Sequence, residues 1–190
     1  MVEIYGADAV RLFILSDSPP EKDIQWSDSG MSSSYKFVQK FWILSDQITK
    51  IIQNKKINSN QEIDFFTNQA IEKINVALKK FRYNVIIAVY HEIFSFYKKI
   101  LEDNKNYDNL EVNFTKILVI MSPVMPHLTN ECLSILNPKK TNFEWPKLQK
   151  EFLKSDQKII VIQINGKKRN TIAIKDEISE DQLINKITEM

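Results

Sequence analysis

From Ser27 to about residue 136 the apolar side chains recur every three or four positions, and that period restricts the chain to packed amphipathic helices. Phe37, Phe41, Ile48 and Ile52, with Val38, Leu44 and Ile51 beside them, predict a long helix from Ser27, its candidate N-cap, to about Lys55. A second stripe runs from about Ile63 to Phe81 through Phe66, Ala70, Ile74, Ala77 and Leu78. A third covers about 85–103, with Asn84 as its expected cap, and a fourth lies near Leu110–Met121. Pro123 and Pro126 break or kink the fourth before a short helix to about Leu136. The connections, INSNQ at 57–61 and a polar break at 103–109, are short, so the helices are expected to form an antiparallel bundle. Ahead of them, ADAVRLFIL (Ala7–Leu15) is too apolar for an exposed helix and predicts a short buried one behind Gly6; residues 17–26, with two prolines, read as a loop.

The period changes after Pro138. NPKKTNFEWPK is turn-rich and basic and reads as a domain boundary. KIIVIQI (158–164) and KKRNTIAI (167–174) flank Asn165-Gly166, the signature of a β-hairpin with a type I′ turn, whose two central residues need positive φ. Ser179–Glu189 predicts a last helix, with Ser179 as cap and Gln182 at the capping-box position. The expected class is mainly α: a helix bundle followed by a small α+β C-terminal domain with a β-hairpin. The expected division is 1–27 as the tail of a preceding region, 28–138 as the bundle, 139–156 as linker and 157–190 as a partial C-terminal domain.

The residues that catalysis would need are missing. The chain has two histidines, His91 and His127, and one cysteine, Cys132. His91-Glu92 lacks the second histidine four residues on that a zinc-protease helix requires. His127 and Cys132 are five apart, a poor spacing for two side chains on one helix, so Cys132 reads as a buried core residue. The three glycines form no phosphate-binding loop. One thiol makes no internal disulfide, and a reducing cytoplasm is the simplest setting. No run of eighteen apolar residues is present to span a membrane, and the first residues do not have the pattern of a signal peptide. We expect no catalytic residue, no metal and no cofactor within this sequence.

Charge is informative by its placement. The net of +2 divides into −4 over residues 1–30, +7 over 139–175 and an acidic end. A basic block between acidic flanks suits a polyanion, and solvated lysines are the plainer alternative. Lysine outnumbers arginine 23 to 3, a bias that lowers the weight of any single lysine.

Four stretches, in order, resemble one family. Tyr5-Gly6-Ala7-Asp8-Ala9-Val10-Arg11-Leu12-Phe13 is similar to the YGAD…R segment that follows the KMSKS loop of class I aminoacyl-tRNA synthetases. Asp23-Ile24-Gln25-Trp26-Ser27 resembles the junction leading into their helical anticodon-binding domain. Met121-Ser122-Pro123-Val124-Met125-Pro126-His127-Leu128-Thr129-Asn130-Glu131 is similar to the P-x-x-P-H-x-x-E element of the leucyl, isoleucyl, valyl and methionyl group. Trp145-Pro146 with Val161-Ile162-Gln163-Ile164-Asn165-Gly166-Lys167-Lys168-Arg169 resembles the "WP … VQVNGKxR" segment of leucyl enzymes of bacterial type. There are departures: Ser134 stands near a usual tryptophan, Lys36 and Lys40 stand where arginines are common, and Asn170-Thr171 replaces Gly-Lys. The lysines keep charge but lose the bidentate fork.

The resemblance implies a tRNA-binding piece of a longer polypeptide whose missing parts hold the ATP-binding signatures and an editing domain. The parent would join leucine to its tRNA with ATP and Mg, as a cytoplasmic monomer, while this piece alone would be inactive. Lys36 and Lys40, four apart on one helix face, are the expected phosphate contacts near the anticodon stem. Lys167, Lys168 and Arg169, leaving the hairpin turn, are expected to reach the outer corner of the tRNA. Arg11 has two readings: a brace or tRNA contact beside the catalytic body, or a salt bridge to Asp8. Trp26, Trp42 and Trp145 are read as packing or joint residues before base-stacking ones. The same region of a valyl, isoleucyl or methionyl enzyme, or a helical interaction module without RNA, are the alternatives.

Overall fold

The computed structural model describes residues 1–16, 23 and 25–153, together with the backbone of 157–164 and 167–175. The chain forms two compact units, Met1–Gln149 and Lys150–Met190.

The first unit opens with α1 (Val2–Tyr5) and α2 (Ala7–Ser16), hinged at Gly6, whose φ of +79° is reached without strain only by glycine. The long helix α3 (Asp28–Ile52) starts as the sequence predicts: the Ser27 hydroxyl accepts the Gly30 N–H at 3.2 Å. Gly30 has a packing reason as well. A Cβ there would stand 2.8 Å from the Phe13 ring, so its absence lets α2 lie against α3.

The helix α4 (Gln61–Lys79) begins two residues before the predicted start, because the Asn60 side chain accepts from Glu62 N–H and caps it. The next helix, α5 (Tyr83–Glu102), corrects the sequence reading: its cap is Arg82, and Asn84 lies inside its first turn. The chain reverses so tightly after α4 that Arg82 N–H donates back to the Ala77 carbonyl, and α5 begins at once. Then come α6 (Leu110–Met121) and α7 (Pro126–Leu136), with Pro126 in the first turn of α7, where no N–H is needed. Around the proline break, buried Tyr90 donates toward the Ile120 and Met121 carbonyls at 3.2 and 3.1 Å.

The bundle packs α4 on α5 and α6, and α3 on α2, α5 and α7. Phe41, Ile48, Ile63, Ile71, Ile74, Ile93, Tyr97, Phe114 and Ile117 are fully buried along these seams, on the stripes visible in the sequence. Tyr97 packs on Phe114 with ring centres 5.1 Å apart. Burial pushes the Tyr90 and Tyr97 phenols far up, so both stay neutral hydrogen-bonding groups.

One feature of the connections is not predicted by the stripes. Lys56–Ile57 (β1) pairs in parallel with Asn106–Tyr107 (β2), and Asn106 donates to the Ile52 and Asn54 carbonyls. That bond ends α3 at Ile52, short of the expected Lys55. Residues 139–149 are not helical, yet they hold to the first unit. Trp145 Nε1 donates to Asn75, Gln149 N–H to Asn68, and Phe143 and Leu148 pack on the core.

The second unit has a 3-10 turn at Lys150–Phe152 and an antiparallel pair, β3 (Gln157–Ile164) and β4 (Lys167–Lys175). Ile164 pairs with Lys167 and Gln163 with Lys168. The register then skips Arg169, because Ile162 pairs with Asn170, a bulge in the ladder. The Asn165-Gly166 turn and the predicted helix at 179–189 lie outside the described residues.

Candidate functional site

Two of the sequence motifs, 119 residues apart, meet at Asp8. Its carboxylate is buried; Oδ1 lies 2.8 Å from His127 Nδ1, and Oδ2 accepts the Leu128 N–H at 2.7 Å. A carboxylate on the first turn of a helix is favoured by the unpaired N–H groups and the helix dipole, so Asp8 of α2 caps α7 in trans. Arg11 NH1 approaches the same carboxylate at 3.5 Å, the salt bridge of the second sequence reading. The residue that braces α2 to α7 is Asp8.

Lys36 and Lys40 are both exposed on α3, one turn apart. Neither takes part in any ion pair among the described residues, whereas Lys50, Lys56, Lys73 and Lys99 all lie near carboxylates. Lys40 lines a shallow hollow of about 280 Å³ with Ile43, Leu44, Gln47, Phe94 and Lys98. The sequence does not single out Lys98. Its signal is the packing of α5 on α3, which brings a lysine to the hollow that Lys40 lines. About two turns before Lys98 on α5, His91 rests on the Phe37 ring at 4.4 Å between centres, and partial burial lowers its pKa.

No group of three metal-ligating side chains occurs among the described residues. Cys132 is buried and its thiol is pushed up by burial, while His127 engages Asp8; the two form no nucleophile–base pair. No helix among the described residues is long and apolar enough to cross a membrane. The three tryptophans are not core residues. Trp26 stands edge-on to Phe13 at 5.1 Å, Trp42 is partly open on α3, and Trp145 is held by Asn75. Lys167, Lys168 and Arg169 stand at the start of β4.

The family profile described as the anticodon-binding domain of tRNA ligases matches residues 60–184. The chain belongs to this family. Curated relatives of this anticodon-binding domain include the leucine–tRNA ligase of Rickettsia bellii, 34% identical over 186 residues. The leucine–tRNA ligase of Prochlorococcus marinus is 33% identical over 190 residues. In both cases the match takes in 96% of this chain and 22% of the relative, so the chain spans about a fifth of the length of these proteins.

The fold of the domain is also that of a solved structure, the LeuRS–tRNA–LeuAMS ternary complex of Agrobacterium radiobacter K84. It superposes with a TM-score of 0.75 at 20% identity, over 100% of this chain and 25% of that one. The leucyl resemblance read from the four motifs is thus met by leucine–tRNA ligases along nearly the whole domain, and the valyl, isoleucyl and methionyl alternatives are not favoured.

Proposed function

We propose that this domain is the tRNA-gripping part of a leucine–tRNA ligase, in which the rest of the polypeptide carries catalysis and editing. The parent joins leucine to its tRNA with ATP and Mg in the cytoplasm, as a monomer. The domain itself contributes orientation of the acceptor end and no chemistry. One observation carries the reading. Lys36 and Lys40 stand exposed on one face of α3, without carboxylate partners among the described residues, in a chain that matches leucine–tRNA ligases over 96% of its length.

Two ammonium groups one turn apart neutralise neighbouring phosphates of a stem, and Lys98 adds a third charge beside Lys40. Lys167, Lys168 and Arg169 supply a second contact, at the outer corner of the tRNA. Arg11 is engaged with Asp8 and retains donors for a further phosphate. In this reading residues 1–27 close the catalytic side, 28–138 hold the stem, 139–156 connect, and 157–190 begin the outer domain.

Filter binding of the full chain to a panel of purified tRNAs tests it. Leucine tRNA is expected to bind best. Lys36→Glu with Lys40→Glu is expected to lower affinity at least about tenfold and flatten the salt dependence by roughly 1.5 log units, two phosphates' worth. Unchanged affinity and slope would overturn the assignment, and so would leucylation of tRNA by this chain alone.

A further inference from the structure

The α4–α5 corner contains a residue that its backbone does not favour. Lys80 caps α4, Phe81 N–H donates to the Leu78 carbonyl at 3.1 Å, and Arg82 N–H donates to the Ala77 carbonyl at 2.9 Å. That pair of bonds is the Schellman ending, whose left-handed position is normally glycine or asparagine. At the end of α5 the same role falls to Asn104, at φ +49°. Here it falls to Phe81, at φ +51°. A bulky side chain in this region is a genuine outlier, and such outliers concentrate at functional sites.

Packing does not account for Phe81 either. It is 62% exposed, the second most open of the large apolar side chains among the described residues, and its ring stands edge-on to Tyr83 at 6.3 Å between centres. Its surroundings are strongly cationic. Lys79, Lys80 and Arg82 flank it, all exposed, and none takes part in an ion pair among the described residues. No acidic residue occurs between Glu72 and Glu92.

We propose that the Phe81 corner is a second RNA-contact site, at which the ring stacks on an unpaired base while Lys79, Lys80 and Arg82 hold the phosphates on either side. The chemistry is that of single-stranded recognition: an open aromatic face for a base and unpaired cations for the backbone that carries it. A protein surface is the less suited occupant, because three adjacent unpaired cations favour a regularly spaced polyanion. The proposal rests on the tRNA reading above and adds to it a looped-out or unstacked nucleotide, contacted by a turn rather than by a helix face.

The test exploits the strain. Phe81→Gly removes the ring and places the favoured residue in the left-handed position, so the melting temperature is expected to hold or rise. Affinity of the full chain for leucine tRNA, and for a short single-stranded RNA oligonucleotide, is expected to fall about tenfold, the scale of one lost stack. Phe81→Trp is expected to keep affinity and to add fluorescence quenching on RNA addition beyond that of the three native tryptophans. Phe81→Leu, which keeps apolar bulk, is expected to bind as weakly as the glycine variant.

Unchanged RNA affinity in Phe81→Gly, with Lys36→Glu and Lys40→Glu still weakening tRNA, overturns the corner and leaves the α3 face standing. Absence of binding by the unaltered chain to either RNA overturns both. If Phe81→Gly spares RNA binding but weakens association with separately produced catalytic portions of a leucine–tRNA ligase, the corner is a protein contact and the proposal fails.

Discussion

Asp8 carries three contacts on one buried carboxylate: the Leu128 N–H, the His127 ring and the Arg11 guanidinium. Removing it leaves a buried N–H at the start of α7 without a partner, the most costly kind of loss for a single hydrogen bond. Asp8→Ala is therefore expected to destabilise the first unit by about 1–3 kcal/mol in urea unfolding, with Asp8→Asn milder because an amide oxygen can still accept from Leu128. Of these contacts only the Arg11 pairing was legible in the sequence, as one of two readings. Asp8 and His127 each belonged to a recognisable motif, but their meeting depends on how α2 and α7 lie in the fold. His91 gives a second expectation. Burial against Phe37 holds its folded pKa below the ordinary 6.5, so the folded state prefers the neutral ring. Its contribution is present above about pH 6.5 and is lost as pH falls through the lower, folded value. His91→Gln should flatten the acid side of the stability–pH curve in that window and leave the plateau above pH 7 unchanged. The effect is small, because the ring is more exposed than buried.

The helices were readable where burial imposes a period. Phe37, Phe41 and Ile48 point to one core, and so do Ile74 and Ile93 from their own stripes. The helix ends were readable where a side chain caps its own helix, as Ser27 does, and where a polar break or a proline bounds the stripe, as at α6 and α7. They were misread where the backbone decides. Asn84 resembles a cap, but the Schellman turn at Phe81 starts α5 before it is reached. The β1–β2 pairing was invisible for another reason: two-residue strands have no alternation to detect, and their partners lie some fifty residues apart. What holds that end of the bundle is an asparagine network. Asn109 exchanges hydrogen bonds with the Asn60 backbone and donates to Asp64, and Asn113 donates to Asp64 from the next turn. Asn109→Ala removes one of the links between the two connections. We expect about 2 kcal/mol lower stability, and faster amide exchange confined to 56–60 and 106–109, since local opening follows the weakest linked segment.

At the scale of the molecule, the two units carry their cations in two different ways. The first presents lysines on helix faces and at the Phe81 corner; the second carries Lys167, Lys168 and Arg169 at the start of a strand. The bulge skips Arg169 between the Gln163–Lys168 and Ile162–Asn170 pairs, a shift of pairing register that its sequence could not reveal. The contributions of the two units are separable by salt dependence. Residues 1–149 keep the bundle core, which lies wholly within that unit, and are expected to unfold in one cooperative step. If the strand-borne cations each neutralise one phosphate, the truncated chain loses three contacts. The slope of log affinity against log salt should then fall by roughly 2 to 3 units relative to the full chain. The triple change Lys167→Glu, Lys168→Glu and Arg169→Glu in the full chain should lower it by at least as much, because it also adds three like charges. A truncated chain with the full slope would assign all of the electrostatic grip to the bundle. Lys36, Lys40, Lys98, Arg11 and the Phe81 corner would then have to supply the phosphate contacts, and the basic run on β4 would be a solvated strand.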